Sequence, residues 1–238
     1  FVLLFEKSGF KKVKIEEKID FKELFLKKSI ANNDKAILLL AGGKSTRSTY
    51  NILSNKNLEW EKVETFLVDE RLVDKTDSNS NYKLISKNFK KNYSKKIKIN
   101  FLCKASVNKK KLKNFINTIK SYKPISIIGM GDDGHFASIF NNSKHYKKLV
   151  DPNRRPDLIV TEKIGKPKIQ RITFNISMFN ISHKIILILN SKKKIRLFYK
   201  FLKSSKIQYR PINFLINKLK SKLLISIDNR LFKLKDLN

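Results

Sequence analysis

One stretch of this chain concentrates chemistry: Gly129-Met130-Gly131-Asp132-Asp133-Gly134-His135-Phe136-Ala137-Ser138-Ile139-Phe140, directly after the apolar run Ile125–Ile128. Its glycines let the backbone turn sharply where a strand ends and come close to a ligand. The turn delivers His135 into that space. Histidine is the side chain that titrates nearest neutrality, so a placed one works as a general base at cellular pH. Asp133, two positions earlier, could orient the imidazole or stabilise its charged form. Gly129-x-Gly131-x-x-Gly134 formally matches the dinucleotide fingerprint. Asp132 and Asp133 would then stand where a pyrophosphate binds, so the match reads as accidental.

Two further clusters carry polar groups of the right kind. Gly42-Gly43-Lys44-Ser45-Thr46 offers backbone N–H groups at a helix start, a lysine and hydroxyls, which together make an anion site. It is not a Walker A loop, so a phosphate monoester suits it better than a triphosphate. The competing reading is an ordinary glycine turn with a solvent lysine. Asp69-Glu70-Arg71 is the other cluster. Arg71 could steer a substrate oxygen or merely pair with carboxylates, since residues 59–77 hold seven of the chain's twenty acidic groups. His145 sits among lysines and a tyrosine and reads as a surface residue; His183 reads as the start of a strand. No His/Cys/Asp grouping has metal-ligand spacing and no G-x-S-x-G elbow is present. Neither a metal nor a cofactor is expected.

These clusters need elements to hold them. Ala36–Leu40 is continuously apolar, as a strand buried on both faces should be. Further strands are predicted at 65–68, 99–102, 125–128, 171–176, 185–189 and 223–227. Helices are predicted at 46–54, 79–89 with Ser78 or Ser80 as cap, 109–122 and 195–202. Phe1–Phe5 reads as a first edge strand or helix end rather than a signal-peptide core. Alternating strands and helices imply a Rossmann-like α/β fold: one open, mostly parallel sheet with helices on both faces, in a single domain over residues 1–238. Ligands of such sheets bind beyond the carboxyl ends of the strands, where all three clusters fall.

The net charge of +33 raises a nucleic-acid role, and a non-catalytic basic nucleic-acid-binding protein is one alternative. The excess, however, is almost all lysine, 45 against 8 arginines, spread along the chain with asparagine and isoleucine. Base-edge and bidentate phosphate recognition favour arginine, and no interleaved aromatic–basic motif is present. The charge therefore reads as compositional drift with no specific nucleic-acid partner. Runs such as Lys109–Lys111 and Lys192–Lys194 read as solvated helix ends or loops. No apolar run reaches the roughly 18–20 residues that span a bilayer, so no membrane partner is expected. The lone Cys103 reads as a core or half-buried filler and fits a cytoplasmic location.

Taken in order, these residues resemble the 6-phosphogluconolactonase family from about Ala36 to Ile227. Leu40-Ala41-Gly42-Gly43-Lys44-Ser45 is similar to the family's glycine loop. Trp60, Phe66–Arg71 and Asp77-Ser78-Asn79-Ser80-Asn81 are similar to its W…DER…SN block. Gly129–Phe140 resembles G-x-G-x-D-G-H-x-A-S-x-F, and Arg171–Phe174 resembles R-[IV]-T-[LF]. Lys194 stands where the family carries a lysine opening a helix. The resemblance implies a fold shared with glucosamine-6-phosphate deaminases and ribose-5-phosphate isomerases. It also implies hydrolysis of 6-phosphogluconolactone in the oxidative pentose phosphate pathway, metal-free, by a monomer or small homo-oligomer. In that reading His135 activates water, supported by Asp133, while Arg71 or the glycine-rich backbone stabilises the oxyanion. Gly42, Gly43, Lys44, Ser45, Asp69, Gly131, Gly134, Arg171 and Lys194 would bind substrate, with the division between phosphate and lactone contacts left open. The deaminases are the rival. They carry G-H-[IL]-[AG]-F-N-E, whose glutamate belongs to their acid–base machinery, where this chain has Ser138-Ile139-Phe140. The chain also departs from the lactonase pattern at Thr46, Asn141-Asn142, Ser191 and Ile225.

Overall fold

The computed structural model describes residues 2–6, 9–10, 21–203 and 210–227. In chain order the strands are β1 (Val2–Glu6), β2 (Gly9–Phe10), β3 (Ala36–Leu40), β4 (Val63–Leu67), β5 (Asp69–Arg71) and β6 (Lys98–Asn100). They continue with β7 (Ile125–Gly129), β8 (Leu158–Ile164), β9 (Ile169–Phe174), β10 (Lys184–Leu189) and β11 (Leu223–Ile227). The α-helices are α1 (Phe21–Asn33), α2 (Arg47–Ser54), α3 (Asn81–Phe89), α4 (Lys109–Ser121), α5 (Tyr146–Val150), α6 (Ile176–Asn180), α7 (Lys192–Lys203) and α8 (Pro211–Leu219).

The central sheet runs β2-β1-β11-β10-β7-β3-β4-β6, and the six strands from β11 to β6 are mutually parallel. Every residue of β3 is buried. Successive strand side chains point to opposite faces, so both faces of the sheet are covered, as the unbroken apolar run requires. Read from β6, the parallel strands follow the order 3-2-1-4-5-6 by rank along the chain. The order reverses between β3 and β7, and the crevice above such a reversal is where α/β sheets bind ligands.

A second, antiparallel sheet, β5-β9-β8, leans on the first. Val68 is the joint. Its N–H donates to the Leu40 carbonyl of the central sheet at 2.9 Å, and its carbonyl accepts the Phe174 N–H of the small sheet at 3.0 Å. Two expectations are corrected here. Asp69-Glu70-Arg71, expected at the carboxyl end of the 65–68 strand, is a strand of its own. The predicted strand over 171–176 belongs to this antiparallel sheet and stops at Phe174. The cause is Asn175, whose side chain bonds the Asp157 N–H at 3.0 Å and the Arg155 carbonyl at 2.9 Å, so the chain turns and Ile176 opens α6.

The remaining expected elements lie within a few residues of their observed bounds. Ser80 caps α3, its hydroxyl accepting the Lys83 N–H at 3.2 Å. Val2–Glu6 is a strand but not the sheet edge, since β2 pairs outside it; Phe1 lies outside the described residues. Cys103 is half-buried. His145 is half-buried rather than exposed, its N–H bonded to Ser143 Oγ at 3.1 Å. Among the described residues no helix is long and apolar enough to cross a membrane.

Candidate active site

A cavity of about 180 Å³ opens at the β3/β7 reversal. It is lined by Gly42, Gly43, Lys44, Ser45, Asp69, Arg71, Gly131, His135, Arg171 and Lys194, together with Asn81 and a few small or apolar residues. The loops after β3 and β7, the strands β5 and β9 and the start of α7 thus bring together all the expected binding residues except Gly134. Asp133 also lies outside the lining, behind the imidazole. At this volume, below the roughly 300–1,000 Å³ of drug-sized ligand pockets, the cavity suits a compact ligand.

His135 is held from two sides. Asp133 Oδ1 is hydrogen-bonded to its Nδ1, which leaves Nε2 as the atom for proton transfer. Behind the ring lies Phe140, with centroids 4.2 Å apart. Partial burial pushes the Asp133 carboxyl up, but the hydrogen bond and charge of His135 outweigh it and hold the group at about 2. The acid therefore stays ionised at neutral pH. Gly131 permits the arrangement: a Cβ there would lie 2.1 Å from His135 Cε1.

The glycine loop after β3 is closed by Thr46, whose hydroxyl donates to the carbonyls of Ala41 at 3.1 Å and Gly43 at 3.3 Å. Ser45, buried, accepts a 2.5 Å hydrogen bond from Lys194 Nζ across the cavity. Burial lowers the Lys194 pKa, partly offset by Asp132, which sits beside it and pairs with Lys193 at 3.1 Å. Lys44, Ser45 and Lys194 thus face one end of the cavity with two cations and a hydroxyl. That end matches an anionic group.

The opposite wall is built by the small sheet. Asp69 is buried, and its Oδ2 accepts the Ser138 hydroxyl at 2.6 Å. Arg171 is also buried. Its Nε and Nη2 donate to the carbonyls of Ile164 and Pro167, both at 3.0 Å, and Nη1 reaches Ser138 Oγ at 3.5 Å. With these donors committed to the protein, Arg171 contributes charge and rigidity more than free N–H groups. Burial, then repulsion from Arg71, lowers its pKa to about 10, against the pull of Asp69 and Glu70. Arg71 does not pair with its neighbouring carboxylates. Its Nη1 donates to the Asn79 carbonyl at 2.6 Å, and its buried Nε has no partner. The ion pairs of the acidic segment are made instead by lysines, Lys62 with Glu59 and Lys35 and Lys98 with Glu64.

Four residues of the site carried no assigned role in the sequence reading. Glu70 is fully buried and accepts the N–H groups of Arg71, Asn81 and Tyr82, each at 2.7 Å, and the Ser80 hydroxyl at 3.1 Å. It ties β5 to the N-terminus of α3, where the helix dipole favours an anion. Asn81 packs against Gly42 so closely that a Cβ there would fall 1.9 Å from Asn81 Oδ1. Ser138 and Phe140 anchor Asp69 and His135. All four lie inside the quoted motifs, but only three-dimensional contact separates their tasks. Among the described residues no three His, Cys, Asp or Glu side chains gather as metal ligands would.

The profile of a family described as glucosamine-6-phosphate isomerases and 6-phosphogluconolactonases matches residues 18–224. The chain belongs to that family. Within it, a probable 6-phosphogluconolactonase of Dictyostelium discoideum is 32% identical over 192 residues, covering 76% of this chain and 80% of the relative. The crystal structure of 6-phosphogluconolactonase from Thermotoga maritima superposes with a TM-score of 0.66 at 25% identity, covering 87% of this chain and 93% of that one. A monomeric glucosamine-6-phosphate deaminase also superposes, with a TM-score of 0.66 at 18% identity over 92% of this chain and 94% of that one. This second likeness shows the fold that both branches of the family share.

Proposed function

We propose that the protein hydrolyses 6-phospho-D-glucono-1,5-lactone to 6-phosphogluconate, without a metal ion and in the cytoplasm. The observation that carries the reading is that His135, hydrogen-bonded to Asp133, lines the same cavity as Lys44, Ser45 and Lys194, the last two bonded to each other. The substrate phosphate lies against Lys44, Ser45 and Lys194. The lactone carbonyl then faces His135, whose Nε2 takes a proton from the attacking water. Arg71, which lines the cavity, or the glycine-rich backbone of the turn stabilises the oxyanion. Collapse of the tetrahedral intermediate breaks the ring C–O bond, and the imidazolium returns its proton to the departing alkoxide oxygen, which becomes a hydroxyl.

Ring opening and deamination of an amino-sugar phosphate is the nearest alternative. It is disfavoured because no carboxylate follows His135 in the signature loop. Ser138 is committed to Asp69 and Phe140 to the imidazole. The test is decay of 6-phosphogluconolactone, generated in situ by glucose-6-phosphate dehydrogenase, against its spontaneous rate. Acceleration by the native protein that collapses about 10²–10⁴-fold in His135→Ala is expected. No acceleration by folded native protein would overturn the reading, and the deaminase assay would follow.

A further inference from the structure

The turn carrying His135 is gripped by residues that do not line the cavity. Arg210, just before α8, donates from Nη1 to the Asp133 carbonyl at 2.7 Å. Two residues on, the Ile212 N–H donates to the Gly134 carbonyl at 3.1 Å. The carbonyls on both sides of Gly134 are therefore fixed by one short segment. Gly134 has φ +83°, and a Cβ there would lie 3.0 Å from Phe201 and 3.3 Å from Ile212, so the turn is pressed onto the α7–α8 pair. Arg210 also lies over the Phe201 ring, 5.8 Å from its centroid. Within the turn, the Gly131 N–H donates to the His135 carbonyl at 2.8 Å and the Gly134 N–H to the Gly131 carbonyl at 3.1 Å.

We propose that Arg210 is a positioning residue for the Asp133–His135 pair, locking the turn backbone so that Asp133 Oδ1 stays aimed at His135 Nδ1. The inference rests on His135 being the base. Arg210 is absent from the cavity lining, so it acts through the loop and not on substrate. Its chemistry fits the task. This chain uses lysine at 45 of its 53 basic positions, yet here it has arginine. A planar guanidinium can lie flat on Phe201 while pointing an N–H at a carbonyl, and a lysine ammonium cannot hold both contacts with fixed geometry. Misplacing a base by about 1 Å costs on the order of 10²-fold in rate.

The test compares Arg210→Met and Arg210→Lys with the native protein in two assays. The first is lactone hydrolysis, resolved into kcat and KM. The second is long-range ¹⁵N NMR of the imidazoles, which reads the His135 tautomer directly and is simple to assign among three histidines. We expect kcat to fall about 10–100-fold with KM nearly unchanged. The His135 signals should move from one Nδ1-protonated form to a tautomer mixture, and lysine should restore neither. If KM rises and lysine restores it, Arg210 only steers the anionic substrate. If the His135 signals are unchanged in Arg210→Met, the clamp does not position the base, whatever kcat does. A native protein without lactonase activity would overturn the proposed function, while the NMR comparison would still decide the clamp.

Discussion

Gly131 and His135 occupy each other's space: the carbon that any larger residue would carry at 131 falls 2.1 Å from Cε1 of the imidazole. Gly131 is thus a steric requirement of the imidazole's position and not a feature of the turn alone. Its backbone lies outside the left-handed region, so alanine is conformationally acceptable there.

Gly131→Ala should therefore behave like a catalytic knockout in a folded protein. The methyl displaces the ring from Asp133, and activity should fall by about 10²-fold or more, as for a misplaced base. Thermal unfolding should stay within a few degrees of native. A variant that unfolds, or one that keeps full activity, contradicts the account.

Asp133→Asn should lower kcat by about 10²-fold while leaving KM near native, because an amide no longer fixes the Nδ1-protonated tautomer. The Asp133 carboxyl is held at about 2 against an ordinary 3.8. A depressed acid stabilises the fold above its ordinary value, and that contribution disappears as pH falls through 2. The side chain is 47% exposed, so screening keeps the term below about 1 kcal/mol. In acid titration, the stability difference between native and Asp133→Asn proteins should be full, though below about 1 kcal/mol, above pH 3.8 and should vanish below about 2.

Lys194 predicts an alkaline limit on phosphate affinity. Burial lowers its pKa, so its charge is lost at lower pH than that of an ordinary lysine. Because burial favours the neutral form, fold stability should gain as the group deprotonates, while affinity for the phosphate end weakens. Calorimetric binding of 6-phosphogluconate should weaken as pH rises, before ordinary lysines titrate. In Lys194→Met it should be weaker throughout and flatter with pH.

Glu70→Gln should cost about 1–3 kcal/mol in urea unfolding, because one amide oxygen cannot serve three N–H groups and a hydroxyl, and its NH₂ would face donors. Activity should fall with it, since Arg71 and Asn81 both hang from this carboxylate. Unchanged stability would show that the Glu70 network is dispensable.

Much of this was legible in the sequence. Ala36–Leu40 and Leu223–Ile227 match their expected strands residue for residue, because an apolar run bounded by polar residues admits few other readings. Much of the cavity was legible because the glycine loops sit at the carboxyl ends of β3 and β7, where α/β sheets bind ligands. The small antiparallel sheet was not. β8 reads Leu-Ile-Val-Thr-Glu-Lys-Ile, polar over three consecutive positions, and it is a strand only because β9 pairs with it. Helix α8 was passed over although Pro211 opens it, a recognised start signal. Nor could spacing separate Arg171, with its donors tied to backbone carbonyls, from Lys194, bonded to Ser45 in the cavity wall. That distinction depends on the carbonyls of Ile164 and Pro167, which only the β8–β9 hairpin brings within reach.

The Ser45–Lys194 hydrogen bond joins residues 149 positions apart, so the two lips of the cavity come from opposite halves of the chain. No local fragment can assemble it. A ligand that bridges both lips binds only chains in which β3, β7 and α7 have all docked, and by mass action it withdraws protein from every partly opened state at once. Occupancy of the cavity should thus register as resistance to proteolysis across the whole central sheet, including strands that never touch the ligand. In a cell, the supply of such a ligand would govern how long each molecule lasts.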